Sequence, residues 1–192
     1  MKRIIAGVDE VGRGSLVGPV YAAAVILKNK INTKLLKDSK LLSKKDREKL
    51  NIYIKKNSYW SIGKASVKEI EKLNILNASL LAMKRAIKKL NKKPNLVLID
   101  GNKTPDIKNY KLKYVIKGDQ KIASISAASI IAKVSRDKFI TKLAKKFNNY
   151  GWKTNCGYGT KKHLSALKRF GATRHHRKTF AIIDAAETEG IF

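Results

Sequence analysis

Near the start of the chain two apolar runs, residues 3–8 and 20–27, stand one turn apart with Gly12, Gly14 and Gly18 between them. Strands joined so closely pair as an antiparallel hairpin, and the remaining elements must extend that sheet or cover it. Ser43, with Asp46 three residues on, reads as a helix N-cap, and Leu50 and Ile54 carry the amphipathic pattern to about Asn57. Residues 59–65 alternate as a third strand. Residues 67–90 have apolar side chains at helical spacing (Ile70, Leu73, Leu76, Leu80, Met83, Ile87), with a break near Asn74. Residues 96–99 form a short, wholly apolar strand ending at Asp100-Gly101, and residues 112–116 a fifth. Residues 120–147 are again helical, with Ala123, Ala127, Ala128 and Ala132 small enough for close packing on a sheet. The order β-β-α-β-α-β-β-α predicts an α/β fold with a mixed five-stranded sheet flanked by helices. At 192 residues one domain over 1–192 is expected, its core reaching about residue 147. The remainder, 148–192, is a loop, a helix over 161–170 and a basic cluster at 174–178, read as a small C-terminal helical lobe.

Carboxylates are scarce: 14 Asp and Glu face 43 Lys and Arg, a net charge of +29. Four of them stand in apolar or glycine-rich contexts: Asp9 and Glu10 after the first run, Asp100 at the end of the fourth strand, and Asp119 opening the long small-residue helix. Carboxylates at strand ends, drawn from distant parts of the chain, suit a hard divalent cation such as Mg²⁺ or Mn²⁺. Neighbouring side chains of an ideal strand point to opposite faces, so Asp9 and Glu10 are expected at a bulge or a strand end. If the strands bearing Asp9 and Asp100 are adjacent, the four groups converge at one sheet edge. Two cations there would activate water and stabilise the leaving oxygen of a phosphoryl displacement. Asp119 is equally well explained as a helix cap, and Asp100-Gly101 as a strand-to-turn signal. Asp46, Glu48, Glu69 and Glu71 lie on lysine-rich helices as solvated partners, and Asp137, beside Arg136, as half of an ion pair.

The charge excess points to a polyanionic partner, with nucleic acid foremost, although a lysine-rich source would also raise it. Cys156 is the single cysteine, so an internal disulfide and a cysteine zinc site are excluded. The longest apolar stretch, residues 17–27, is too short to cross a membrane, and Asp9-Glu10 interrupts any signal-like start. A cytoplasmic monomer is expected. His163, His175 and His176 lack the spacing of a zinc site. With Lys161, Lys162, Arg169, Arg174, Arg177 and Lys178 they are read as a basic surface, and Trp60 and Trp152 as packing anchors.

Gly12-Arg13-Gly14 lacks the Gly-Lys-Ser/Thr of a nucleotide-triphosphate loop and precedes a strand rather than a helix. Glycines flanking an arginine let backbone groups approach a ligand while the guanidinium holds a phosphate. Such a loop can read a ribose 2′-hydroxyl, the group that separates RNA from DNA.

Asp9-Glu10-Val11-Gly12-Arg13-Gly14 followed by Gly18-Pro19-Val20 resembles the opening motif of ribonuclease HII. The resemblance continues in order through Asp38-Ser39-Lys40, Ile99-Asp100-Gly101, Lys117-Gly118-Asp119 and residues 126–137. It then takes in Gly157-Tyr158 with Thr160, and His176-Arg177 with Phe180. It implies a ribonuclease H-like fold with Asp9, Glu10, Asp100 and Asp119 as the catalytic carboxylates binding two divalent cations, Mg²⁺ or Mn²⁺. It implies contacts from Gly12, Arg13 and Gly14 to the 2′-hydroxyl and backbone at an RNA-to-DNA junction. By the same resemblance Tyr158 stacks on the following deoxynucleotide's sugar and Lys40 contacts a phosphate. The implied reaction is hydrolysis of RNA in RNA/DNA hybrids, and of the phosphodiester 5′ of ribonucleotides embedded in duplex DNA, leaving 3′-hydroxyl and 5′-phosphate ends. Val11, Leu41 and Gly159 depart from the commonest pattern, and Gly159 loosens the Tyr158 loop. The rivals are a non-catalytic RNA-binding protein and a resolvase or exonuclease of the same broader fold.

Overall fold

The computed structural model describes residues 3–29, 31–36, 42–180 and 183. Five strands form one sheet: β1 (Ile5–Val11), β2 (Val20–Leu27), β3 (Ser58–Ala65), β4 (Leu96–Asp100) and β5 (Leu112–Val115), in the order β3-β2-β1-β4-β5. The expected hairpin is present, β1 pairing antiparallel with β2 and β2 with β3, while β4 lies parallel to both β1 and β5. The sheet is mixed, and β1 sits at its centre.

Both faces are covered. Ala6, Val8, Ala22, Ala24, Val97 and Ile99 pack against Ala78, Ala82, Met83 and Ala86 of α2 (Val67–Lys88). On the other face Ala23 and Val25 meet Ile54 of α1 (Lys44–Lys56) and Ala127, Ala128 and Ile131 of α4 (Ala123–Lys146). Alanine on facing surfaces shortens the helix-to-sheet distance. Gly7 takes this furthest, since a β-carbon there would collide with the Ser124 backbone at the start of α4. A third cluster joins Leu16, Val17, Ile140 and Ala144 to Tyr150, Trp152, Ala166 and Leu167. It holds α5 (Trp152–Asn155) and α6 (Lys161–Phe170) against the second half of α4.

The break in α2 falls at Asn74, with φ 63° and ψ 167°. Asparagine tolerates positive φ better than most residues, and its Oδ1 accepts from Asn77 N–H at 3.1 Å, capping the second half anew. Two expectations differ. β1 runs on through Asp9 and Glu10 to Val11 with unbroken pairing, Asp9 opposite Ala23 and Glu10 opposite Ala22, so there is no bulge. The helix expected from Asp119 onward is two: α3 (Gly118–Lys121) is a single turn, and extended Ile122 (φ −120°, ψ 113°) separates it from α4. Asp119 therefore lies outside the first turn of the long helix.

Glu69 is more than a solvated partner. It closes a capping box with Ser66 and accepts from Arg85 Nη1 (2.9 Å) and Nη2 (2.6 Å). The guanidinium, then the Ser66 backbone, hold its carboxyl down at about 2. A depressed folded value contributes stability that is present above the unfolded value and lost as pH falls through the folded one. Glu69→Gln is accordingly expected to lower the urea midpoint at neutral pH, and the deficit should shrink as pH falls from 4.5 toward about 2. A deficit unchanged across that range would contradict the assignment.

Candidate active site

The carboxylates gather at the C-terminal ends of β1 and β4. Val8 pairs with Ile99, which places Asp9 and Asp100 as neighbours on the face covered by α4. Asp9 is only 5% exposed, and its Oδ1 accepts from Glu10 N–H at 2.7 Å. Burial pushes its carboxyl well above the usual range, and the negative charges of Glu10 and Asp100 push further, with Ser129 hydrogen bonding in opposition. Glu10, paired with Ala22, follows directly along β1, and its charge acts on Asp9 as that of Asp100 acts on it. Burial raises its carboxyl too, against the Arg13 guanidinium, whose Nη1 lies 3.4 Å from Oε1, while Asp100 adds to the rise. Asp100 Oδ1 accepts from the N–H groups of Gly118 (2.7 Å) and Asp119 (3.3 Å), which anchors α3 beside it.

Asp9, Glu10 and Asp100 thus sense one another's charge, and Asp119 is tied to the group through its backbone. Among the described residues no three His, Cys, Asp or Glu side chains are already gathered to hold a metal ion. The donor set nonetheless fits a divalent cation. Glu10 Oε2 is buried without a hydrogen bond, and Asp9 is crowded by like charge with too little compensation. Hard oxygen donors under mutual repulsion are what such a cation relieves.

Immediately beyond β1 the chain turns through Gly12 at φ 93°, where a β-carbon would strike the Arg136 guanidinium. Gly14 has open space around it, and the Arg13 side chain is half-exposed. Two fully buried arginines hold this loop. Arg136 donates to Cys156 O (3.0 Å), Ser15 Oγ (2.6 Å) and Val17 O (3.0 Å), and Arg177 to Gly18 O and Arg13 O, both 2.9 Å. Burial lowers both guanidinium values, that of Arg177 to about 9. Gly157 O accepts from Leu16 N–H and Ser15 Oγ, both at 2.9 Å, so Tyr158 follows directly from the glycine-rich turn. Its half-buried ring lies 5.6 Å from Arg136 Cζ and 5.8 Å from Lys133 Nζ.

The tail differs from the surface expected of it. His163, His176 and Arg177 are buried, at 0, 1 and 0% exposure; the two imidazoles bond to buried neighbours, and Arg177 donates through Nε and Nη1 while its Nη2 is buried without a hydrogen bond. Trp152 is a core anchor as expected, whereas Trp60 lies at the surface beneath Lys55 Nζ at 4.1 Å. Asp137 is ion-paired, with Lys133 at 3.1 Å. Lys40 and Leu41 lie outside the described residues. The organising role of Arg136 has one sequence signal, its spacing from Ile125, Ala128 and Ala132, which puts it on the buried face of α4. Arg177 has no such periodicity and is marked only by the His176-Arg177 motif.

The ribonuclease HII family model matches residues 6–183. The chain is 77% identical over 181 residues to the ribonuclease HII of Pelagibacter ubique, covering 94% of this chain and 97% of that protein. It is 52% identical to that of Roseobacter denitrificans, covering 93% and 90%. Among solved structures it resembles ribonuclease HII in the PCNA:RNase HII complex of Archaeoglobus fulgidus, with TM-score 0.79, 27% identity, and 92% and 95% of the two chains covered. It resembles ribonuclease H2 of Pyrococcus horikoshii with TM-score 0.79, 27% identity, and 96% and 97% covered. Bst-RNase HIII in complex with Mn²⁺ shares the fold at TM-score 0.80 and 18% identity, over 97% of this chain and 70% of that one.

Proposed function

The chain belongs to the ribonuclease HII family, and from that premise we propose that it cuts RNA/DNA hybrids and, in duplex DNA, the phosphodiester 5′ of an embedded ribonucleotide. It is an enzyme, a nuclease of the hydrolase class, and the family cleaves RNA in RNA/DNA hybrids. The observation that carries the finer reading is continuity. Glu10 touches Arg13 at 3.4 Å, and the same loop is bonded through Ser15 to Gly157, next to Tyr158. The cutting group and both parts of the reading surface form one bonded unit.

In this reading Asp9, Glu10, Asp100 and Asp119 would hold two divalent cations, Mg²⁺ or Mn²⁺. When bound, these supply Lewis-acid activation of water and neutralise charge at the scissile phosphate. The chain does the rest. Arg136 and Arg177 fix the loop's carbonyls inward, which leaves Gly14 and the Arg13 side chain to meet the sugar-phosphate backbone. Open space at Gly14 admits a ribose edge without steric cost. The Tyr158 ring offers a flat apolar face to the adjoining sugar, beside the cations of Lys133 and Arg136. The +29 charge supplies the sequence-independent attraction to a duplex, and Lys40 is proposed as one phosphate contact.

A DNA duplex carrying one ribonucleotide, incubated with and without Mg²⁺, tests this directly. Cutting is expected 5′ of the ribonucleotide only with the cation. Cutting of all-DNA junctions would favour the resolvase, and retained binding without cleavage the non-catalytic protein. Tyr158→Ala is expected to lower kcat/KM on that duplex about tenfold more than on a continuous hybrid, the order of one lost stacking contact. An equal fall on both substrates would remove Tyr158 from junction recognition.

A further inference from the structure

The loop bearing Tyr158 ends in a buried imidazole pair that the proposed reaction does not use. Thr173 N–H donates to His176 Nδ1 at 2.8 Å. A backbone amide cannot accept, so that nitrogen carries no proton and the His176 proton resides on Nε2. His176 Nε2 lies 3.1 Å from His163 Nε2, which also receives the Trp152 indole N–H at 3.0 Å. Two donors therefore converge on His163 Nε2, which must be the bare nitrogen of its ring. The His163 proton is left on Nδ1, 2.9 Å from the Tyr158 carbonyl. Each link determines the next, from the Thr173 amide to the Tyr158 peptide.

The end of this chain is where orientation matters. The Tyr158 carbonyl also accepts from Thr160 N–H at 2.9 Å, while Tyr158 N–H donates to Asn155 O at 3.0 Å. Gly159, exposed and without a side chain, follows immediately. Asn155, the last residue of α5, and Thr160, the N-cap of α6, fix the two ends of the turn within three residues of Tyr158. His163 is different, because its ring is wholly buried among Tyr150, Trp152 and His176. Its Nδ1–H therefore refers the Tyr158–Gly159 peptide to the packed core.

We propose that His163 is a positioning residue, which through its Nδ1–H holds the Tyr158 peptide so that the ring faces the deoxynucleotide of an RNA-to-DNA junction. His176 and Trp152 act one step further back by holding the His163 tautomer. Burial lowers the pKa of both rings, that of His176 to about 3, where the neighbouring His163 adds to the fall. The inference rests on the reading of Tyr158 as the junction-facing ring.

The test compares kcat and KM on a single-ribonucleotide duplex with those on a continuous RNA/DNA hybrid. His163→Phe is expected to raise KM on the first substrate about tenfold, the order of one lost hydrogen bond, with kcat unchanged and the hybrid altered less than about twofold. His163→Asn, whose amide can still donate to the Tyr158 carbonyl, should recover most of the difference. If Tyr158→Ala shifts the substrate ratio and folded His163→Phe does not, the positioning role is overturned while the reading of Tyr158 stands. If Tyr158→Ala shifts nothing, both fall. Imidazole ¹⁵N spectra of the unaltered protein at neutral pH need no variant. They should show His163 protonated at Nδ1 and His176 at Nε2, and the opposite tautomer on either ring overturns the proposal.

Discussion

Asp9→Asn is expected to reduce cleavage of an RNA/DNA hybrid in Mg²⁺ by more than about a hundredfold, since losing even an outer partner of a metal ligand typically costs 10–100-fold. Duplex affinity should change little. The substitution adds one unit to a net charge of +29 and touches no exposed cation. The amide keeps an oxygen for the Glu10 N–H that Asp9 Oδ1 now accepts, so the strand end need not move. What it loses is the negative charge. The same change should stabilise the cation-free protein. Burial, Glu10 and Asp100 all raise the Asp9 carboxyl above its ordinary value of 3.8. A raised carboxyl costs stability as pH climbs from the unfolded value through the folded one, and that cost persists above it. Asn removes the cost, so the variant should melt higher than the unaltered chain in EDTA at neutral pH, with the gap closing below about pH 4. Added Mg²⁺ or Mn²⁺ should then raise the melting temperature of the unaltered protein more than that of the variant, by mass action on the folded state. Normal cleavage by Asp9→Asn would remove Asp9 from the metal set, and a lower melting point in EDTA would contradict the charge-crowding account.

Sequence patterning reaches as far as local rules operate. The order of strands and helices follows from runs such as 20–27 and 96–99, and the Asn74 break from an asparagine, tolerant of positive φ, inside a helical pattern. The course of β1 through Asp9-Glu10 is not local. Adjacent acids read as a bulge or the end of a strand; Ala22 and Ala23 across the ladder leave room for both, so pairing runs through them without a bulge and the strand ends one residue on, at Val11. The Ile122 break has no compositional mark either, since isoleucine suits the helix on both sides of it. It arises because Asp100 draws the Gly118 and Asp119 amides to itself while α4 starts afresh over Gly7. The site residues show the same division. Scarcity in a basic chain marks the carboxylates, and motif order marks Arg13 and Tyr158. Polarity alone misplaces His163, His176 and Arg177 at the surface: the two histidines are buried against each other and Trp152, and Arg177 reaches far back in sequence to Arg13 and Gly18.

Arg136→Met tests the organising role that spacing on α4 only hinted at. Two effects oppose. Removing a buried guanidinium relieves a desolvation cost, which burial expresses as a lowered pKa, and a well-packed apolar replacement for a buried charge can be neutral. Against this, the guanidinium serves acceptors on separate segments: Ser15 Oγ, Val17 O, Pro19 O at 3.4 Å, and Cys156 O. Val17 O and Ser15 Oγ have each other at 3.1 Å, but Cys156 O depends on this residue. Stranding buried acceptors costs about 1–3 kcal/mol each, so the loss should prevail at about 3–5 kcal/mol, roughly 10 °C in Tm for a chain of this size. Arg136→Lys should recover little, because a single ammonium cannot span the acceptors of a planar fork. Activity separates geometry from charge. If Arg136 merely adds to the basic field, Met and Lys variants will diverge, and Met will weaken binding to every nucleic acid alike while lowering the salt slope by about 1. If it holds the turn between Gly12 and Tyr158, both variants will lose discrimination between a single-ribonucleotide duplex and all-DNA, at temperatures where both remain folded. Retained discrimination in a folded Met variant would rule out Arg136 as the clamp joining the two reading elements.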